Sequence, residues 1–206
     1  MFGKMLDKIL DSPRLWDLSR FFLDLICGLY RTRMALLKSS DLFKNNPSVL
    51  DIGCGTGLFA EVTQGYYLGI DSNHRNIMRA MKKKFKTDKT FRCVDLNVLQ
   101  KEGVRVDVVL ITDVLHHLDN EACIDLLSAS SKITKKYLVS FEPVLRQDMT
   151  LLEKWFVRHD KGASFRYSEE LRQLFRLSGY AIIENRDMRL GHLSIYLTVC
   201  RALNKF

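Results

Sequence analysis

No apolar run in this chain is long enough to cross a bilayer. The most apolar stretch, FFLDLICGLY at residues 21–30, is about half the required length and carries Asp24. The opening residues break their apolar positions with charge too often for a secretion signal. Proline is scarce, three in 206 residues, and there is no low-complexity tract or internal repeat, so a disordered chain is excluded. Cysteine is never paired in sequence: Cys27, Cys54, Cys93, Cys123 and Cys200 stand singly, with no C-x-x-C and no histidine at zinc spacing. The expectation is reduced thiols in a cytoplasmic protein with no bound metal. Apolar residues, by contrast, are plentiful at 47%, enough for one globular domain over residues 1–206. Basic residues outnumber acids by 32 to 24, a formal charge of +8 that raises nucleic acid or an anionic surface as a partner. The densest groups, Lys82 to Lys89 and Lys132 to Lys136, fall near predicted helix ends, where lysines favour the helix dipole and face water.

Two regimes of hydrophobic spacing follow one another. From about Trp16 to Phe43, residues Phe21, Phe22, Leu25, Ile26, Leu29, Met34 and Leu37 recur at helical spacing and predict a helical leader of two helices, residues 1–47. Such a stripe ordinarily packs into a core; the alternatives are a substrate cap or a membrane contact. From residue 48 to 206, short β-forming runs alternate with helical stretches. Strands are predicted at Val49–Ile52, Tyr66–Ile70, Thr90–Val94, Val106–Thr112 and Tyr137–Phe141. Asp119 is placed to cap a helix, and Ser168 precedes another that Gly179 ends. The last two runs, YAIIENRDM and SIYLTVC, are close enough for an antiparallel hairpin. The fold class is α/β: a doubly wound, mostly parallel, seven-stranded sheet of Rossmann-like type, closed by an antiparallel C-terminal strand and preceded by a helical cap.

The loop Gly53-Cys54-Gly55-Thr56-Gly57 joins the first strand to a predicted helix, with glycines spaced G-x-G-x-G. Bare backbone at that spacing suits close approach of a ligand. The dinucleotide fingerprint would need its last glycine where Leu58 stands. Asp71 ends the second strand, where a carboxylate accepts hydrogen bonds from both hydroxyls of a ribose. Asp95 ends the third, placed to accept from an exocyclic adenine amine while the Leu96 N–H faces a ring nitrogen. Singly, Asp71 and Asp95 are also ordinary capping residues.

Taken in order, these motifs resemble the class I S-adenosylmethionine-dependent methyltransferases, in the small-molecule branch. VLDIGCGTG is similar to the family's first motif, which implies that Asp51, Gly53, Gly55 and Gly57 lie beside the methionine part of the cofactor. GID with Asp71 matches the ribose acid, VDL with Asp95 and Leu96 the adenine contacts, and DVVLITDVLHHL the fourth-strand motif, which puts Thr112 and Asp113 near the methionine end. One departure is the short stretch LFAEVTQG after the glycines, where the family's helix would run.

For the transfer step, His116 and His117 are candidate general bases, with a packing role as the alternative. Glu142 at the fifth strand's end is a further candidate, with Arg146 as a substrate contact; the bland reading pairs those two with each other. The polar segment at 158–168 is a candidate lid, with Arg158, His159 and Arg166 lining the acceptor. The expected acceptor is a small metabolite, methylated at oxygen or nitrogen. The alternatives are RNA or protein methylation through the basic surface, or a non-catalytic module that keeps the cofactor motifs.

Overall fold

A computed structural model describes residues 17–18, 21–22, 24–25, 28–160, 162, 164–191 and 193–203. The leader ends in helix α1, Leu29–Ser39. Strand β1, Val49–Ile52, leads through the glycine loop and a single 3-10 turn, Ala60–Val62, to β2, Tyr67–Ile70. Then come α2 (His74–Met81), β3 (Thr90–Arg92), α3 (Leu96–Lys101) and β4 (Val106–Thr112). A second 3-10 turn, Leu115–His117, precedes α4 (Asn120–Ile133) and β5 (Thr134–Leu145). The chain closes with α5 (Leu151–His159), the two-residue β6 (Arg166–Tyr167), α6 (Ser168–Leu177), β7 (Tyr180–Leu190) and β8 (Leu193–Ala202).

The sheet order is β3-β2-β1-β4-β5-β8-β7, with β6 attached to β5 outside that path. Strands β1 to β5 are parallel, and β8 runs antiparallel between β5 and β7. The expected seven-stranded path is therefore present, and β6 is an eighth strand too short to carry any alternation in sequence. Strand β5 is longer than the predicted Tyr137–Phe141. Its partner β8 continues pairing through Pro143, past the point where β4 ends at Thr112.

Side chains alternate between the two faces as the pleat requires. Leu50, Ile52, Val109 and Ile111 pack with Leu99, Leu127 and Phe175 from α3, α4 and α6. Val49, Val108, Leu110 and Phe141 pack with Leu29 and Leu37 of α1 and Ile77 of α2. Helix α4 begins as expected: the Asp119 carboxylate accepts the Ala122 N–H at 2.9 Å. Gly179, at φ +82°, ends α6.

Two expectations fail. No α-helix follows the glycine loop; the eight residues 58–65 hold only the 3-10 turn, so no helix dipole points at the loop. The leader stripe is also only half core: Leu29 and Leu37 are buried and Met34 packs against them, but Phe21, Phe22 and Leu25 face outward. Ile26, Cys27 and Trp16 lie outside the described residues.

Candidate functional site

Because β2 and β4 lie on opposite sides of β1, the chain reverses its direction of winding beside the carboxyl end of β1, where open α/β sheets hold ligands. The glycine loop occupies that place. Gly53, Gly55 and Gly57 have φ of +71°, +54° and +76°, values that side chains other than glycine rarely adopt. A Cβ on Gly53 would stand 2.4 Å from Val114 Cγ2, so the loop lies directly against the chain leaving β4.

Asp71, at the end of β2, accepts the Gly55 N–H at 2.8 Å and the Asn73 N–H at 2.7 Å. It fixes the loop as well as offering a carboxylate to a diol. Asn73, not Asp71, caps α2, accepting from the Arg75 N–H. Asp95 is exposed at the start of α3 and makes no capping bond, while the first N–H groups of that helix have no partner within it. An acid and a free N–H side by side suit an amino-purine edge. Asp51 is fully buried and accepts the Tyr67 hydroxyl at 2.6 Å, so it supports the loop from below and is not presented to a ligand. Thr112 is 7% exposed at the mouth of β4, and Asp113 follows with φ +55°, an uncommon conformation for a residue bearing a side chain.

Asp113 is held by a residue the sequence reading missed. Arg33 of α1, fully buried, donates to both its carboxylate oxygens at 2.6 and 3.0 Å. The signal was legible, since Leu29, Arg33 and Leu37 form the buried stripe of α1 and an arginine does not enter such a stripe without a partner. Asp17 was missed too. It accepts from the Thr56 hydroxyl inside the glycine loop and from Arg79 at 3.1 Å and Lys83 at 3.4 Å. The leader is thus fastened to the site at two points, and no local pattern marks Asp17 as anything but a helix-surface acid.

Beyond Asp113 the two histidines part company. Glu142, 1% exposed, accepts the backbone N–H groups of Val114 and Leu115 at 2.9 and 3.0 Å, that of His116 at 3.4 Å, and His116 Nδ1 at 2.9 Å. His116 Nε2 lies 3.6 Å from the Asp160 carboxylate, an ion pair longer than a hydrogen bond. Burial alone would depress the His116 pKa, but the Asp160 and Glu142 carboxylates outweigh it and raise the group to about 10. His116 is a buried imidazolium held between two acids. His117, exposed, stacks beside it with ring centroids 4.0 Å apart. Desolvation first, then the His116 charge, push the His117 pKa below its ordinary value, so it stands neutral at pH 7.

The tentative catalytic roles of His116 and Glu142 are corrected accordingly: both are committed to holding the turn after β4, and neither has a free lone pair aimed at an acceptor. His116, His117 and Asp160 do bring ligand atoms within 4.8 Å of one another. Both His116 ring nitrogens are engaged by acids, Glu142 at Nδ1 and Asp160 at Nε2.

Arg166 is corrected as well. It is 6% exposed and donates to the carbonyls of Leu115, Leu118 and Ser164 and to Asn120 Oδ1, all between 2.6 and 2.9 Å. It staples the histidine turn to β6 instead of lining an acceptor space. Arg146 pairs with Asp148 at 2.8 Å, not with Glu142, on the exposed rim. His159 is exposed, stacked on Trp155 with centroids 4.5 Å apart. Of the candidate lid, residues 161 and 163 lie outside the described residues, and Ser164 is latched on the turn, its N–H donating to the His116 carbonyl at 3.0 Å.

The carboxyl edge thus brings together bare backbone at the loop, the Asp71 carboxylate, the exposed Asp95 and the Arg33–Asp113 pair. Replacing Asp71 by Ala is expected to weaken binding of S-adenosylmethionine about 10- to 100-fold, the worth of hydrogen bonds to a charged group. It also leaves the Gly55 N–H without its acceptor, so a loss of about 1–2 kcal/mol in stability accompanies it. Calorimetric titration and a thermal melt separate the two, and unchanged affinity removes Asp71 from the site.

Comparison with known proteins agrees in kind. Residues 26–185 match the family model described as a methyltransferase domain. Over 121 residues the chain is 31% identical to the ubiquinone biosynthesis O-methyltransferase of Pelagibacter ubique, a match covering 55% of this chain and 48% of that relative. The chain thus spans about half the length of the curated relative. In fold it is similar to magnesium protoporphyrin IX methyltransferase of Synechocystis PCC 6803 with bound S-adenosylhomocysteine, at 19% identity, TM-score 0.67, and 85% and 82% of the two chains. A Methanosarcina mazei S-adenosylmethionine-dependent methyltransferase gives 18% identity, TM-score 0.65, and 80% and 96%.

Proposed function

The chain belongs to the methyltransferase-domain family, and on that premise we propose that it moves the methyl group of S-adenosylmethionine to an oxygen or nitrogen of a small-molecule acceptor. The observation that carries this reading is His117, an exposed and uncharged imidazole beside the Asp113 turn, next to a glycine loop built for a nucleoside. The curated relative acts in ubiquinone biosynthesis as an O-methyltransferase, which favours oxygen. Neighbours holding S-adenosylhomocysteine or S-adenosylmethionine support the cofactor.

Gly53, Gly55 and Gly57 would cradle the methionine portion, Asp71 the ribose, and Asp95 with the Leu96 N–H the adenine. Asp113, held in place by the buried Arg33, would offer its partly exposed carboxylate to the ammonium of the amino-acid tail. The sulfonium supplies an activated methyl, so the protein's task is to align a nucleophile and exclude water. A hydroxyl acceptor arrives protonated, and a neutral imidazole takes that proton as the bond to carbon forms. His116 cannot share the task because it already carries its proton. It keeps its neighbour deprotonated instead.

Against a nucleic-acid acceptor stands the charge layout. Lys132, Lys135 and Lys136 sit where α4 meets the amino end of β5, at the edge of the sheet opposite the glycine loop. Lys83 is turned onto Asp17, and Lys89 donates to the Thr63 carbonyl. Among the described residues these lysines lie apart, one group at the amino end of β5 and the other near the glycine loop, with Lys83 and Lys89 bound to protein partners.

The test begins with titration of S-adenosylmethionine and NAD, then follows S-adenosylhomocysteine release over a panel of phenols, carboxylates and amines. With a phenolic acceptor, His117→Ala is expected to lower kcat about 10²- to 10⁴-fold with cofactor affinity unchanged. An unaltered kcat removes His117 as the base.

A further inference from the structure

Residues 17–18, 21–22 and 24–25 of the leader are helical and built inside out. Leu18, Phe21, Phe22 and Leu25, spaced i, i+3, i+4 and i+7, form one continuous stripe, and each is roughly half exposed or more, from 49% to 62%. Its acids point inward: Asp17 is bound to Thr56, Arg79 and Lys83, and Asp24 accepts the N–H groups of Tyr30 and Arg31 at the start of α1. An ordinary surface helix has the opposite arrangement. The orientation is enforced, because turning the stripe inward would tear both carboxylates from their partners.

Helix α5 repeats the arrangement on the other flank of the cleft. It buries only Glu153, which accepts from the Ser194 hydroxyl at 2.9 Å and faces Arg189 at 3.5 Å at the β7–β8 turn. Leu151, Leu152 and Trp155 project outward, at 86%, 41% and 49% exposure. On the helical wheel Lys154 and Arg158 run along one side of the Leu151–Trp155 row, and both are exposed. Apolar side chains with a tryptophan, bordered by lysine and arginine that keep their charges in the headgroup layer, are the composition of a helix lying in a membrane interface. Lone exposed apolar residues mean little; seven on two elements flanking one opening mean more.

Both elements stand at the carboxyl edge of the sheet. The leader is tied to the loop after β1, whereas α5 follows β5 and is pinned to the start of β8, which is antiparallel and so begins at that edge. We infer that the protein docks on an anionic lipid surface through the leader stripe and α5, with the mouth of the cleft facing the bilayer. The lysine and arginine bordering α5, with no exposed acid on that helix, select an anionic surface over a second copy of the chain, whose matching face carries the same sign. Such a face would let an acceptor dissolved in lipid enter the site without crossing water. The docking itself does not depend on the methyl-transfer reading.

The test uses the full chain and liposomes. Sedimentation with phosphatidylcholine vesicles containing phosphatidylglycerol is expected to pull the protein down, and vesicles of phosphatidylcholine alone to do so at least about tenfold more weakly. In a Trp16→Phe background Trp155 is the sole tryptophan, and brominated acyl chains should quench its fluorescence. Phe21→Ser with Phe22→Ser, and separately Trp155→Ser, should each reduce vesicle binding about tenfold or more with the melting temperature and S-adenosylmethionine affinity unchanged. Sedimentation velocity closes the alternatives. A dimer dispersed by the same substitutions, or a monomer that ignores anionic vesicles, overturns the inference.

Discussion

Glu142→Ala is expected to destabilise the fold by about 3–5 kcal/mol, the cost of removing one partner from a buried ion pair. In a chain of this size that lowers the melting temperature by roughly 6–20 °C. The loss is large because a single carboxylate serves four donors: the N–H groups of Val114, Leu115 and His116, and the His116 ring. Without it a charged imidazolium is buried against three unpaired amides. Glu142→Gln retains one acceptor oxygen but turns an NH2 toward donors, so it should recover only part of the loss. A melt within about 2 °C of wild type would show that the turn after β4 does not depend on this residue.

The same pair sets a pH window. His116 has a folded pKa of about 10 against an ordinary 6.5, so its contribution is complete below about pH 6.5 and disappears as pH rises through 10. Asp160 runs the other way. Burial works to raise it, but His116 and the Gly162 N–H hold it below 3.8, so its contribution is present above that value and fades in stronger acid. Stability should therefore plateau between about pH 4 and 6.5 and decline on the alkaline side. Glu142→Gln should flatten the alkaline decline, read from melts across pH and from the His116 ring proton in NMR titration.

The second large effect is expected at Gly53. An alanine there combines φ of +71° with a Cβ 2.4 Å from Val114 Cγ2, so either the loop or the chain after β4 must move. Backbone strain alone costs about 1–2 kcal/mol. Displacing the loop should weaken S-adenosylmethionine binding about 100-fold or more, because sites depend on placement within about half an ångström. Val114→Ala in the same chain relieves the contact but not the backbone strain, and should restore affinity only partly. Gly103 supplies the control: its φ is +70° but nothing lies within 4 Å of the missing Cβ. Gly103→Ala should lower stability by about the strain term and leave affinity unchanged. If both alanines behave alike, the loop's closeness to Val114 has no bearing on binding.

Strands β1 and β4 begin and end where their apolar runs do, and Asp119 caps α4, because each depends on contacts within a few residues. The glycine loop is legible for the same reason: its φ values are a property of glycine. Asp71 follows β2 directly as expected, whereas β3 stops at Arg92 and Asp95 instead stands at the start of α3. The histidines could not be told apart. His116 and His117 are neighbours of one residue type, and only Asp160 and Glu142, both distant in sequence, make one a fixed cation and leave the other a neutral imidazole. Arg166, read as a substrate contact, is instead consumed by backbone carbonyls of a turn some fifty residues earlier.

Periodicity pointed to helix in the leader, as residues 17–18, 21–22, 24–25 and 29–39 have it, and glycine and carboxylate placement pointed to a ligand loop after β1. The tertiary structure alone decided which way the leader faces. A hydrophobic stripe in sequence is symmetric with respect to inside and outside; the choice is made by where its charges find partners. Asp17 finds Thr56 and Lys83, Arg33 finds Asp113 eighty residues away, and the phenylalanines are left facing outward. Charge state, burial and orientation are properties of pairs brought together by folding, and no window of sequence contains both members.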